Sequence, residues 1–397
     1  MAKIKPSKQE REAKKSFEKN KNATKSLETE SPEQLYAETI DLVQSQPGKA
    51  LEKAQMLWNQ VQNGSTLEKL PALGLLGEIS ETLGEIDNAR AYFEKAVELD
   101  PEGKESNLME GGAEKFLWLA QLCEQGGKAS IGWFERGVRV LEREIAALGD
   151  GATTGLDRES LLVLRVDKQK KLADALCGMV EVYMTDLSWE EDAESRCENL
   201  ITKAIAVEDE PSPGVLQTLA SVRLSQQRED DARSALIRSI QSWKHLDPED
   251  PGVPDFATRI SLCRLLMEAE MERDAMHVIT RLVDEDDESV EAWYLGGWCQ
   301  YLIAEKLQSN GKTEEQSRRQ AALKGSRHFL KKSLKLYSQL SYEDEQLFAH
   351  AKELVSKLDE ILGPEAEHTD GSAEDEEWEN WDGFSSSDDE DEEMVDG

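Results

Sequence analysis

No run in the chain approaches the roughly 18 consecutive apolar residues needed to cross a bilayer, so neither a membrane span nor a membrane partner is expected. The opening MAKIKPSKQEREAKK carries cations with no apolar segment behind them, and it does not read as a secretory signal. Cysteine is sparse and odd in number: Cys123, Cys177, Cys197, Cys263 and Cys299 are far apart and form no CxxC, which fits a reducing compartment and ordinary packing. Histidine is as scarce, with five residues, none in HExxH and none at zinc-site spacing from a cysteine. His277, in RDAMHVITRL, reads as a helix-surface or partly packed residue. GxSxG and the phosphate-binding P-loop are both missing. The run DEDDES at 284–289 lacks the central Gly and final Glu of a calcium loop. No catalytic residue, no cofactor site and no metal site is therefore expected, and the chain reads as a non-enzyme.

Negative charge is what the sequence has in excess. Asp and Glu total 82 against 47 Lys and Arg, a formal net charge of −35 over 397 residues. A field of that sign repels nucleic acid and draws basic proteins inward. Direct DNA contact is not expected, and the body of the chain reads as lacking the basic stripe that RNA binding would need. The charge is also divided along the chain. Residues 1–30 read as a basic disordered arm, with nine Lys or Arg in the first 25 positions. That arm could be solubilising, could touch RNA transiently, or could serve nuclear import. Residues 362–397 read as an acidic disordered tail, with 16 Asp or Glu and no Lys or Arg from Pro364 onward. Its Ser385, Ser386 and Ser387 precede DDEDEE, the setting an acidophilic kinase favours.

Between the two ends, over 31–361, apolar residues recur at three and four, and breakers fall every 12 to 20 residues. In LPALGLLGEISETLGEIDNARAYFEKAVELDP, Leu73, Leu76 and Gly77 share one helix, Gly84 breaks it, and Ala89, Phe93 and Ala96 share the next. Small residues at 77, 89 and 96 let two antiparallel helices approach closely, and Phe93 fills the space between them. The pattern returns in GVLQTLASVRLSQQREDDARSALIRSI, where Ala232 follows Ala220 by 12 residues, as Ala89 follows Gly77, and Leu236 stands for Phe93. It returns again from Leu262 and Cys263 to Ala275 and Ile279, and Gly297 lies 34 residues beyond Cys263. KFLWLAQLCEQGGKASIGWFERG reads as a shortened unit, and LADALCGMVEVYMTDL with CENLITKAIAV as one with a lengthened turn.

This spacing and the 34-residue period resemble the tetratricopeptide (TPR) repeat family. The resemblance implies an all-α, right-handed α-solenoid (superhelix) of about seven helical hairpins, with first helices lining the inner face and a closing helix over 341–361. Stacking is required because a hairpin with one apolar side cannot bury it alone. The segments 103–112, 147–160, 245–254 and 307–316 read as loops or extended helix ends on the rims.

First-helix positions supply the candidate concave groove: Glu78, Glu81, Asp174, Glu181, Glu268, Glu291, Tyr294, Trp298 and Tyr301. Carboxylates there would bind cations, and aromatic faces would hold aliphatic stems or guanidinium planes. For Trp298, groove contact and packing between repeats are equally open. The clamp with which some TPR proteins hold an acidic chaperone peptide is absent, since the corresponding positions include Gly74, Glu78, Glu81, Gln217 and Ser221, with Arg264 a lone exception.

The start MAKIKPSKQEREAKK, the unit LGEISETLGEIDNARAYFEKAVELDPEG, the later WYLGGWCQYLIAE and the end EDEEWENWDGFSSSDDEDEE together resemble a fungal family of dedicated assembly chaperones of the fourth large-subunit ribosomal protein. What that resemblance implies is a groove gripping the long, basic internal loop of the new ribosomal protein. It also implies escort from cytoplasm to nucleus and release at the pre-60S particle, with transient contact to the pre-ribosome and to an import factor. The chain alone is expected to be monomeric. A chaperone of histones or other basic proteins, and a general TPR scaffold, remain open on composition alone.

Overall fold

The computed structural model describes residues 30–105, 112–149, 157–307 and 313–363. Residues 1–29 of the basic arm and 364–397 of the acidic tail lie outside the described residues, while Leu362, expected in the tail, ends the last helix. Within them there are 15 helices and no strand. The chain divides into two compact units, Met1–Pro254 and Asp255–Gly397.

The first unit runs α1 (Pro32–Val43), α2 (Pro47–Val61), α3 (Thr66–Thr82), α4 (Ile86–Leu99), α5 (Glu114–Gln121), α6 (Gly127–Gly149), α7 (Arg158–Met184), α8 (Ala193–Val207), α9 (Pro213–Ser225) and α10 (Glu229–Gln241). Each helix packs on the next, and α1 touches α3 as α7 touches α9. The second unit runs α11 (Phe256–Glu268), α12 (Glu272–Glu285), α13 (Val290–Lys306), α14 (Thr313–Leu340) and α15 (Glu345–Leu362). There too neighbours pack in order, with added contacts of α13 to α11 and to α15. Stacked antiparallel hairpins of this kind are the α-solenoid class, and α15 is the closing helix.

The two ends of a hairpin are built by different chemistry. Several first helices begin with a side-chain cap, which satisfies backbone N–H groups that have no partner inside the helix. Ser31 and Gln34 form a reciprocal box on α1, Asp157 accepts from the N–H groups of Glu159 and Ser160 on α7, and Asp255 accepts from Thr258 on α11. Ser289 does the same on α13. Second helices α2, α4, α8, α10 and α12 have no such side-chain bond. The starts of α4, α10 and α12 are set by the tight turn before them. Gly84, Gln227 and Glu270 take positive φ of 75°, 59° and 62°. In each turn the next residue's N–H returns to a carbonyl five positions back: Glu85 to Ser80, Arg228 to Arg223 and Met271 to Leu266.

The steric reading of the repeat holds atom by atom. A Cβ on Gly77 would stand 2.5 Å from Phe93 Cζ, so only hydrogen fits there. The same device recurs where Gly178 meets Phe134 and Gly297 meets Leu330. Ala89, Ala220, Ala232 and Ala275 are fully buried, as are Leu236 and Ile279 at the positions equivalent to Phe93. The shortened unit is the eight-residue α5 followed by α6, and the lengthened turn is residues 185–192 between α7 and α8.

One expectation fails. The body does carry a basic stripe, on α14. Lys324, Arg327, His328, Lys331, Lys332 and Lys335 recur at three and four, and at 3.6 residues per turn they occupy about 140° of the helix. Ala322, Leu323, Ser326, Leu330, Ser333 and Leu336 of the same helix are buried. The stripe was hidden because the surrounding acidity swamps it in any count taken along the chain.

Candidate functional site

In the first unit, α3, α5 and α7 bring carboxylates from three hairpins to one surface. Two adjoining concavities share Glu114. One is lined by Gly74 and Glu78 of α3 together with Tyr36 and Glu114. The other, about 680 Å³ and open to solvent, is lined by Glu114 and Trp118 of α5, Lys171, Asp174 and Glu181 of α7, and Asp186 beyond it. Lys171 is the one cation in that set. Its Nζ lies 3.0 Å from Glu114 Oε1 and 3.5 Å from Asp167, so it is already committed.

The remaining carboxylates are under-compensated. Burial raises the pKa of Glu78, and the like charge of Glu114 adds to it, while a hydrogen bond from Trp118 and the charge of Lys171 oppose. Asp174 keeps an exposed side chain, yet it is pushed up to about 6, chiefly by desolvation against the groove wall and next by Glu208, with Lys170 opposing. Glu181 keeps an exposed side chain, yet the concavity limits its hydration and that desolvation raises its pKa as well. A cation at this surface would oppose the shift of each carboxylate it meets. Glu81 lies three residues from Glu78 on α3, half-buried, and lines neither concavity.

The second unit presents its candidates differently. Glu268 at the end of α11 is exposed. Glu291 on α13 is ion-paired with Arg264 of α11, so the cation read as an exception is the partner of a candidate carboxylate. Tyr294 is only 8% exposed, and its hydroxyl lies 2.7 Å from Nδ1 of His350 on α15. Trp298 is half-buried, with ring centroids 5.9 Å from Tyr294 and 5.3 Å from His350. These two aromatics therefore tie α13 to the closing helix, and Tyr294 has little surface left for a ligand. Tyr301, one turn further and half-buried, has its pKa raised by desolvation and by Glu305. The reading from sequence missed Glu114, Trp118 and His350. EKFLWL opens a helix only eight residues long, and His350 reaches Tyr294 from 56 residues away.

Repeated hairpins, their close glycine contacts and the left-handed turns define the chain as a tetratricopeptide-repeat protein. The tetratricopeptide repeat family matches residues 70–102, from within α3 to just past the end of α4. A protein of Emericella nidulans described as a probable assembly chaperone of rpl4 is 48% identical over 381 residues, covering 92% of this chain and 91% of its own. One of Schizosaccharomyces pombe with the same description is 33% identical over 345 residues, covering 86% and 95% respectively. A solved structure of the assembly chaperone of RpL4 (Acl4), residues 1–338, is 46% identical with a TM-score of 0.62, covering 71% of this chain and all of that one. The chain belongs to this family of assembly chaperones of rpl4.

Proposed function

We propose that the chain is a dedicated, non-enzymatic chaperone of the large-subunit ribosomal protein rpl4, holding that protein's long basic internal loop until the loop meets ribosomal RNA. The observation that carries this is the surface of α3, α5 and α7, where Glu78, Glu114, Asp174 and Glu181 line two adjoining concavities whose two lysines, Lys115 and Lys171, are already paired with Asp100 and Glu114. A segment made to thread through RNA is rich in Lys and Arg and has no fold without RNA. An elongated acidic surface offers it many moderate contacts and keeps other anions away. Family membership supports the identity of the client, which charge alone does not specify. Release then needs only a stronger polyanion, and ribosomal RNA is one. The chaperone binds as a monomer, meets the client in the cytoplasm, travels with it through transient import-factor contact, and is discharged at the nuclear pre-60S particle.

The test is competition on the purified full chain between a peptide of the rpl4 loop and core histones. The loop should displace histones at equimolar concentration, and affinity should fall steeply between 50 mM and 300 mM salt. Histones displacing the loop would make the chain a chaperone of another basic protein. Affinity indifferent to salt would remove the electrostatic groove altogether.

A further inference from the structure

The basic stripe of α14 has no part in the acidic groove, and in a chain of net charge −35 it calls for an anionic occupant. Lys324 and Lys335 are exposed, and neither is ion-paired to any described residue. Lys332 Nζ lies 5.6 Å from the ring centroid of Trp293, and His328 meets the same ring edge-on at 6.2 Å. Between Lys324 and Lys335 the helix carries no Asp or Glu. From the neighbouring helix Asp359 reaches it, 3.4 Å from Arg327 Nη1.

The same Arg327 Nη1 donates to the carbonyl of Gly363 at 3.0 Å. Gly363 is the last described residue before the acidic tail. Gly363, from which the acidic tail continues, is thus held to one of the cations of the stripe. From Lys324 to Lys335 the stripe is about 17 Å long at 1.5 Å per residue. The 34 residues from Pro364 onward, with 16 carboxylates and no Lys or Arg, could extend to about 110 Å, several times that length. Charge, reach and point of departure agree on one occupant.

We infer that the acidic tail, residues 364–397, folds back onto the α14 stripe and neutralises the cationic face of this unit. Covalent attachment at Gly363 turns many weak exposed ion pairs into an intramolecular contact of high effective concentration. The occupied stripe is closed to RNA phosphates while the chaperone works beside them. The inference stands independently of which client the groove holds.

Amine-reactive footprinting of the full chain, read by mass spectrometry, tests it against a chain ending at Gly363. In 50 mM salt the tail should slow acylation of Lys324 and Lys335 roughly three- to tenfold. Exposed Lys49 and Lys203 should react equally in both chains. The protection should vanish in 1 M salt, where the Debye length is about 3 Å. Carbodiimide should join Lys324 or Lys335 to tail carboxylates within one chain, and Lys324→Glu with Lys335→Glu should abolish those links. Equal reactivity of the two chains at low salt would overturn the inference. So would protection of the stripe by an added oligouridylate of the full chain, with none from the tail, and the stripe would then be an RNA site.

Discussion

Asp174 offers a direct handle on the groove, because the same desolvation that raises its pKa makes client binding depend on protons. At a pKa of about 6 the side chain is roughly 97% ionised at pH 7.5 and about one quarter ionised at pH 5.5. A bound Lys or Arg favours the ionised form and returns the group toward its ordinary value near 3.8. Affinity is then fully present well above pH 6 and is lost as pH falls through it, so moving from 7.5 to 5.5 should weaken binding about fourfold through Asp174 alone. Glu78 and Glu181 are shifted in the same direction, so the wild-type loss should exceed that. The assay is calorimetric titration of a histidine-free loop peptide into the full chain at the two pH values. Asp174→Asn should bind more weakly at pH 7.5 and show a shallower pH dependence. An Asn variant with the full wild-type loss between the two pH values would refute the assignment to this carboxylate, and a pH-independent wild type would refute the groove.

Folding should respond to pH with the opposite sign. A carboxyl raised in the folded state holds its proton more tightly there than in the unfolded chain, so the melting midpoint should rise as pH drops from 7.5 toward 5. Glu198, held low by Arg223, gives up its stabilisation only below the ordinary carboxylate range. Glu268→Lys with Glu291→Lys should cut client affinity at least tenfold, about 1.4 kcal/mol. Thermal denaturation should show a loss below about 1 kcal/mol, the worth of the exposed Arg264 pair. Trp298→Ala should lower stability by about 2 kcal/mol, half the cost of emptying a fully buried ring, and full retention of the melting midpoint would make it a ligand contact instead. Gly77→Ala should cost about 1–3 kcal/mol by forcing Phe93 out of place, seen in urea titration. Gln227→Gly should raise stability by up to about 1 kcal/mol, because its φ of 59° is strained for any residue with a Cβ.

Which of these features could be read without coordinates follows from how local they are. Gly77 and Phe93, or Cys263 and Ala275, are set by the steric needs of a single hairpin, so spacing alone exposes them. The pairing of Glu291 with Arg264 spans 27 residues, and that of Tyr294 with His350 spans 56, distances over which no residue pattern repeats. Glu78 and Glu181 could be placed on first helices, but Glu114 could not, since the short α5 shifts the register between them. The α14 stripe obeys the simplest helical period and was still missed, because charge was read as a sum and not as a face.

The pattern of contacts has a consequence for how the protein comes into being. Within each unit the described helices pack chiefly on their immediate neighbours and on the next helix but one, so most stabilising contacts close a short loop of chain. Folding of this kind is fast and does not wait for distant partners. As the polypeptide leaves the ribosome at about 5–20 residues per second, α3 and α4 can dock before α7 has been translated. The acidic surface would thus be assembled hairpin by hairpin while synthesis continues. The aromatic joint of Tyr294, Trp298 and His350 forms only when α15 emerges, which makes the last folded segment the seal on the second unit.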